Sequence, residues 1–291
     1  MYVERPPTAD LAGRLACVWH QVSEADATQL VVPDACVDLI WGPEGLFVAG
    51  PDTGPMPTPM ASGATFVGVR FKPGAVGDLF GVPLQELRDQ RVRLSDLPLP
   101  TLRDQHLPPS DFPSSGVPLS GLAPPDLLLS GLASSELAPS DLPSSGLPAS
   151  GIPSPRVADA VPSAVSSAVS SRRLDAMLSA VRDRLAHGVP ADPAGAAIAG
   201  ALRKGRTVGE VAWDLGFSER HLHRRSLATF GYSPKILQRI VRFQRALTLA
   251  RAGVSLAEVA VTAGYADQAH LSHDVKRLSG VSMRHLLSPA G

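Results

Sequence analysis

The stretches "RTVGEVAWDLGFSERHLHRRSLATFG" (206–231) and "VSLAEVAVTAGYADQAHLSHDVKRLSG" (254–280) are one pattern written twice. Val208–Phe217 lies over Leu256–Tyr265 at an offset of 48, with Glu, Val, Ala, Gly and an aromatic residue recurring in place. Further on the offset is 49, because Leu222 matches Leu271 and Gly231 matches Gly280. The extra residue falls in the short turn after Gly264. A turn absorbs an insertion that packed helices would not.

Each copy opens on a capping-box pattern, Thr207 with Glu210 and Ser255 with Glu258. There the hydroxyl accepts from the amide three residues on and the Glu reaches back to the cap amide. A short helix with small apolar positions follows, then a Gly-aromatic turn, then a second helix. That plan is a helix-turn-helix, although generic helical hairpins share it. The second helices favour a polyanion partner. "SERHLHRR" sets Arg220, His221, His223, Arg224 and Arg225 around Leu222, and "DQAHLSHDVKR" sets Gln268, His270, Ser272, His273, Lys276 and Arg277 around Leu271. Such groups donate to phosphate oxygens or read base edges.

Between the copies, Ser233 caps a helix that starts at Pro234 and closes at Gly253. About 18 residues at ~1.5 Å each make a rod of roughly 27 Å. It holds two heads apart in a way that suits successive major-groove segments about 34 Å apart. Arg239, Arg242 and Arg245 recur every three residues along it and either touch phosphates or solvate its surface. The pairs His221-x-His223 and His270-x-x-His273 lack further ligands for a tetrahedral metal site, so no metal is expected.

Outward from this module the composition changes. The 291 residues carry 27 basic and 27 acidic side chains. From Leu202 to the end there are 14 Lys+Arg against 6 Asp+Glu, a net of +8, and the remainder carries −8. A basic module joined to an acidic one points to nucleic acid as its partner. Residues 98–170 are a Pro/Ser/Gly/Leu low-complexity linker with a ten-residue repeat, for example "LSGLAPPDLL" then "LSGLASSELA". A helix ending near Gly188 follows.

Residues 1–97 read as a small β-rich domain. Strands are expected at 15–22, 28–33, 36–41, 46–50 and 65–71, and a short helix at 73–81. Alternation in "PDACVDLIW" puts Cys36, Asp38 and Ile40 on one side and Val37, Leu39 and Trp41 on the other. With Arg70 on a nearby strand, Cys36 and Asp38 either line a polar effector pocket, or form a structural ion pair beside a core cysteine. Two cysteines make no disulfide framework or zinc site. No apolar run reaches the ~18 residues of a membrane span, and the N-terminus lacks a signal-peptide pattern, so a cytoplasmic protein is expected. No catalytic constellation and no cofactor motif stands out.

Residues 204–288 resemble the DNA-binding domain of the AraC/XylS transcription regulators, most strongly in "GYADQAHLSHDVKRLSGVS". The stretch from "VVPDACVDLIWGP" to "FVGVRFKPG" resembles an uncharacterised N-terminal domain of some AraC-like regulators, through its Pro-Asp-Ala-x-x-Asp-Leu, Gly-Pro and Arg-Phe-x-Pro-Gly motifs. The resemblance implies base reading by Arg220, His223 and Arg224 in the first unit and by Gln268, Ala269, His270 and His273 in the second. It also implies backbone contacts by Thr207, Arg225, Arg239, Ser255, Lys276 and Arg277. Ser226 stands where the family usually has Phe, which thins that core. His273 stands where Arg is usual, which weakens the second unit or makes it pH-dependent.

The expected fold class is α+β: a β-rich domain (1–97), a linker (98–170) and a helical region (171–291) with two helix-turn-helix units. The expected function is sequence-specific regulation of transcription. Double-stranded promoter DNA and RNA polymerase are the expected partners, together with a small-molecule effector or self-association into a homodimer. The rival readings are a helical protein–protein adaptor and a repair regulator that accepts an alkyl group on Cys.

Overall fold

The computed structural model describes residues 1–98, 164–188 and 190–288. Most of the low-complexity stretch lies outside the described residues. The N-terminal part contains strands β1 (Tyr2–Arg5), β2 (Leu15–Val22), β3 (Ala27–Val31), β4 (Val37–Gly42), β5 (Gly45–Ala49), β6 (Met56–Met60), β7 (Thr65–Phe71) and β8 (Arg91–Arg93). Six of them form a sheet in the order β1-β2-β7-β4-β5-β8, and β3 pairs with β6 in a separate ribbon.

Alternation sorts the large sheet into two unlike faces. Val18, Val37, Leu39, Trp41, Val48, Val67 and Val69 share an apolar core. Helix α1 (Ala164–His187) covers that core with Met177, Ala180 and Val181. Thus the first helix after the linker packs on the sheet, although in sequence it reads as the start of the helical region. Cys17, Arg70 and Asp38 stand abreast on the opposite face, Cys17 paired with Arg70 and Arg70 with Asp38.

The sequence reading missed β1, β6 and β8. β6 carries Pro57 and Pro59, which cannot donate to a ladder and are tolerated in a two-stranded edge ribbon. β8 has three residues, too few for a period-2 signal. The short helix expected at 73–81 is absent, and the segment is a series of turns. Gly74, Gly77 and Gly81 have φ of +79°, +66° and +68°, left-handed values that break a helix at each step.

The remaining helices are α2 (Pro193–Arg203), α3 (Val208–Asp214), α4 (Glu219–Phe230), α5 (Pro234–Arg251), α6 (Leu256–Ala263), α7 (Gln268–Ser279) and α8 (Met283–Leu287). In α5, Leu237, Ile240, Val241, Phe243, Ala246, Leu247 and Ala250 are buried, the i, i+3, i+4 stripe of a helix with neighbours on several sides. The two pairs α3–α4 and α6–α7 pack around it. Val32 and Ala35, from the loop before β4, belong to this same helical core. The β-rich part and the helical part therefore share one apolar seam.

Candidate nucleic-acid interface

Local chemistry builds each helix pair. Thr207 and Glu210 form the full capping box: Thr207 N donates to Glu210 Oε2 at 2.7 Å and Glu210 N donates to Thr207 Oγ1 at 3.3 Å. In the second copy the serine half forms, Glu258 N to Ser255 Oγ at 3.3 Å. Gly216 and Gly264 then turn the chain with φ of +66° and +88°. Ser218 caps α4 and Asp267 caps α7. These caps are 49 residues apart, so the extra residue of the second turn is Ala266, between Tyr265 and Asp267.

At that offset the second helices can be compared side by side. Arg220, His223 and Arg224 on α4 are exposed, as are Gln268, Ala269, His270 and His273 on α7. Lys276 and Arg277 are exposed near the end of α7. Thr207 and Ser255 are exposed caps whose hydroxyls already accept from backbone amides. Position 221 and its counterpart 270 carry histidines that lie against the turn aromatics. His221 sits 4.5 Å from Phe217 and His270 sits 5.2 Å from Tyr265, centroid to centroid. Half of what reads as a basic histidine stripe is thus local packing of the Gly-aromatic turn.

Arg225 and Arg239 are half-buried and already paired with carboxylates. Arg225 Nη1 donates to both Asp192 oxygens at 2.6 Å and its guanidinium stacks 4.8 Å from the Phe217 centroid. Its counterpart in the second unit is Asp274, which is buried. Asp274 receives Arg242 Nη2 at 3.0 Å and Arg239 Nε at 3.3 Å, and Arg242 stacks 4.2 Å from Tyr265. The second helix of each pair is therefore pinned by an ion pair plus a cation stacked on its turn aromatic, with the charges exchanged between copies. Asp192 and Asp274 escape a search for basic residues. The signal of Asp274 is a lone carboxylate where the first copy has Arg225, and Asp192 reads only as a helix cap.

Ser226 fills a role that the thinned-core expectation does not include. It is fully buried and its Oγ donates to Tyr232 O at 2.7 Å, and the Tyr232 side chain is also fully buried. A hydroxyl fixes the turn between α4 and α5, and an aromatic from that turn supplies bulk.

In the β-rich part the structure brings Cys36, Asp38 and Arg70 together. Arg70 Nε lies 3.1 Å from Asp38 Oδ1 and 3.7 Å from Asp34, and its Nη1 lies 3.6 Å from Glu4. Trp19 Nε1 donates to Asp38 at 2.8 Å. The Trp19 indole lies flat on Gly68, where a β-carbon would fall 2.1 Å from the ring, so only glycine lets the indole cross β7. Burial pushes the Asp38 carboxyl up, and Arg70 opposes it. Burial pushes the Cys36 thiol well up, and the Asp34 charge adds to it. Burial likewise takes Cys17 up to about 12. Both shifts run away from the thiolate form, which is the nucleophile.

Among the described residues no helix is long and apolar enough to cross a membrane, and no cluster of His, Cys, Asp and Glu could hold a metal ion. No curated protein matches the sequence. Among solved structures the chain is similar to the apo form of a lysine-to-alanine variant of ToxT from Vibrio cholerae, with 10% identity, a TM-score of 0.45, and 93% of this chain and 96% of that chain covered. A second ToxT structure from Vibrio cholerae aligns at 10% identity and a TM-score of 0.40, over 99% of each chain. Residues 3–93 match a domain of unknown function, DUF6597, and residues 211–288 match a helix-turn-helix domain. The chain thus joins an N-terminal domain that matches DUF6597 to a C-terminal domain that matches a helix-turn-helix family.

Proposed function

We propose that the protein regulates transcription by placing α4 and α7 in successive major-groove segments of a promoter, with α4 carrying most of the sequence discrimination. The observation that supports this best is the exposure of Arg220, His223 and Arg224 on a helix held from behind by Arg225 and Asp192. Two arginine forks match the paired acceptors of guanine, whereas the corresponding positions of α7 are Ala269 and His273. Lys276, Arg277 and the caps at Thr207 and Ser255 would position the backbone. Arg225 and Arg239 would act by orienting helices, since their guanidinium groups are already paired. RNA polymerase would receive the bound regulator. A small effector or a second copy would act through the N-terminal domain. Within the Arg70 cluster, Arg70 Nη1 is buried 3.6 Å from Glu4 without a hydrogen-bond partner.

The test is Arg224→Ala in a gel-shift assay against sequences selected from random DNA. The expected loss is about 1–3 kcal/mol, confined to targets carrying the base that Arg224 reads. Equal loss on selected and random DNA would move this side chain from base to phosphate.

A further inference from the structure

Three turns of the N-terminal domain, two of them within its sequence motifs, meet the helical domain in space. In the first, Pro33 O accepts from Gln244 Nε2 of α5 at 2.6 Å, and Val32 and Ala35 enter the helical core. In the second, Pro51 packs against Gly231, where a β-carbon would fall 2.9 Å from Pro51 Cγ and 2.8 Å from Leu84 O. Arg88 Nη1 reaches Gly231 O at 3.5 Å beside it. In the third, Gly74 lies backbone to backbone with Gly195 of α2: a β-carbon on Gly195 would fall 2.8 Å from Gly74 O, and one on Gly74 would fall 2.9 Å from the Phe230 ring.

These contacts are unevenly shared. They fall on α2, the end of α4 and α5, which together hold the first helix-turn-helix unit. The second unit approaches at Gly280, where a β-carbon would sit an ordinary 3.5 Å from Pro55. The contacts also leave the exposed face of α4 free, so they do not compete with DNA for Arg220, His223 and Arg224.

The loop 32–36 has two sides. Val32, Pro33 and Ala35 face the helices. Asp34 lies 3.7 Å from Arg70 and accepts from Cys36 N at 2.8 Å. Ala35 holds φ of +67°, a left-handed value that a non-glycine residue keeps only when its surroundings enforce it. Across the seam, Tyr232 OH is buried without a hydrogen-bond partner. Its ring is fully buried in the turn that Ser226 ties down, and it belongs to the same apolar cluster as Val32 and Ala35 of the loop.

We propose that the N-terminal domain is an intramolecular clamp on the first helix-turn-helix unit, engaged through the turns at 32–36, 50–52 and 72–75, and that the loop 32–36 links the Arg70 cluster to that clamp. The clamp sets how α4 is presented while leaving α7 to its own pinning by Asp274. This assigns a role to the N-terminal domain that does not depend on which bases α4 reads.

Hydrogen exchange on the full chain tests it without DNA, so its failure is separable from failure of the base-reading proposal. Gly195→Ala puts a methyl into the seam and raises helix propensity in α2. Gln244→Ala removes the bond to Pro33. Arg70→Gln alters the cluster and touches no residue of α4 or α5. Each variant is expected to speed exchange at Cys36, Ala75 and Phe230–Tyr232 together, by about tenfold or more, while amides in β2, β7 and α7 keep their protection. Unchanged exchange at Phe230–Tyr232 in Gln244→Ala and Arg70→Gln would overturn the clamp. If Gly195→Ala loses protection throughout, the decision rests on the other two variants, whose changes lie at polar side chains.

Discussion

Cys36 shows how one residue's chemistry follows from its neighbours. The residue is half-buried beside a carboxylate-rich cluster, where desolvation and Asp34 both oppose the thiolate. Alkylation at neutral pH is therefore expected to leave Cys36 unmodified in the native chain and to modify it fully in denaturant. Mass spectrometry of the two samples decides this, and rapid native labelling would restore a sensing or alkyl-accepting role. Ala35 is a second case. Its residue type is unremarkable in the sequence, yet its left-handed backbone and buried methyl place the loop between two domains. Nothing local in "PDAC" announces either property. Val37, Leu39 and Trp41 behave oppositely, because strand alternation alone separates them from Asp38 and the structure keeps that separation.

At the scale of elements, pinning and capping dominate. Asp274 joins α7 to α5 through two arginines that are themselves about a quarter to a third exposed. Asp274→Ala is expected to cost about 1–3 kcal/mol of stability, less than a fully buried pair because water reaches both guanidinium groups. Chemical denaturation measures it, and a change under 0.5 kcal/mol would mean that packing alone holds α7. Helix α1 is tied to the loop after β1 by Arg182 Nε and Asp10 Oδ2 at 2.7 Å. That bond, with help from Thr8, lowers the Asp10 carboxyl from its ordinary 3.8 to about 2. A depressed acid stabilises above its unfolded value, and the contribution fades as pH falls from 3.8 toward 2. Asp10→Asn is expected to flatten this part of the acid-unfolding curve of the wild-type chain. The same slope in both proteins would place the acid sensitivity elsewhere. Most helices of the C-terminal part were legible because caps, glycines and apolar stripes are local signals. β6 and the turns at 73–81 were not, because prolines in an edge ribbon and glycines in left-handed turns imitate other structures.

At the scale of the molecule, charge and docking decide behaviour. The net +8 of the segment from Leu202 onward predicts that DNA affinity of the full chain falls linearly in log–log form with salt, at a slope of about −0.9 per phosphate neutralised. Titration by fluorescence anisotropy at several salt concentrations checks it. Absence of salt-dependent binding would favour a protein–protein adaptor. The sequence by itself determined the two-copy helical plan, the inserted turn residue, the long spacing helix and the two-faced sheet, since each rests on periodicity or on caps within a few residues of one another. Only the tertiary structure decided which arginines are free and which are paired, that α1 serves the sheet, and that turns of the N-terminal domain meet the first helix-turn-helix unit. Those outcomes depend on carboxylates, glycines and carbonyls brought together from residues 30 to more than 200 positions apart. No local pattern carries that information, because contact across such separations is set by how the packed elements meet.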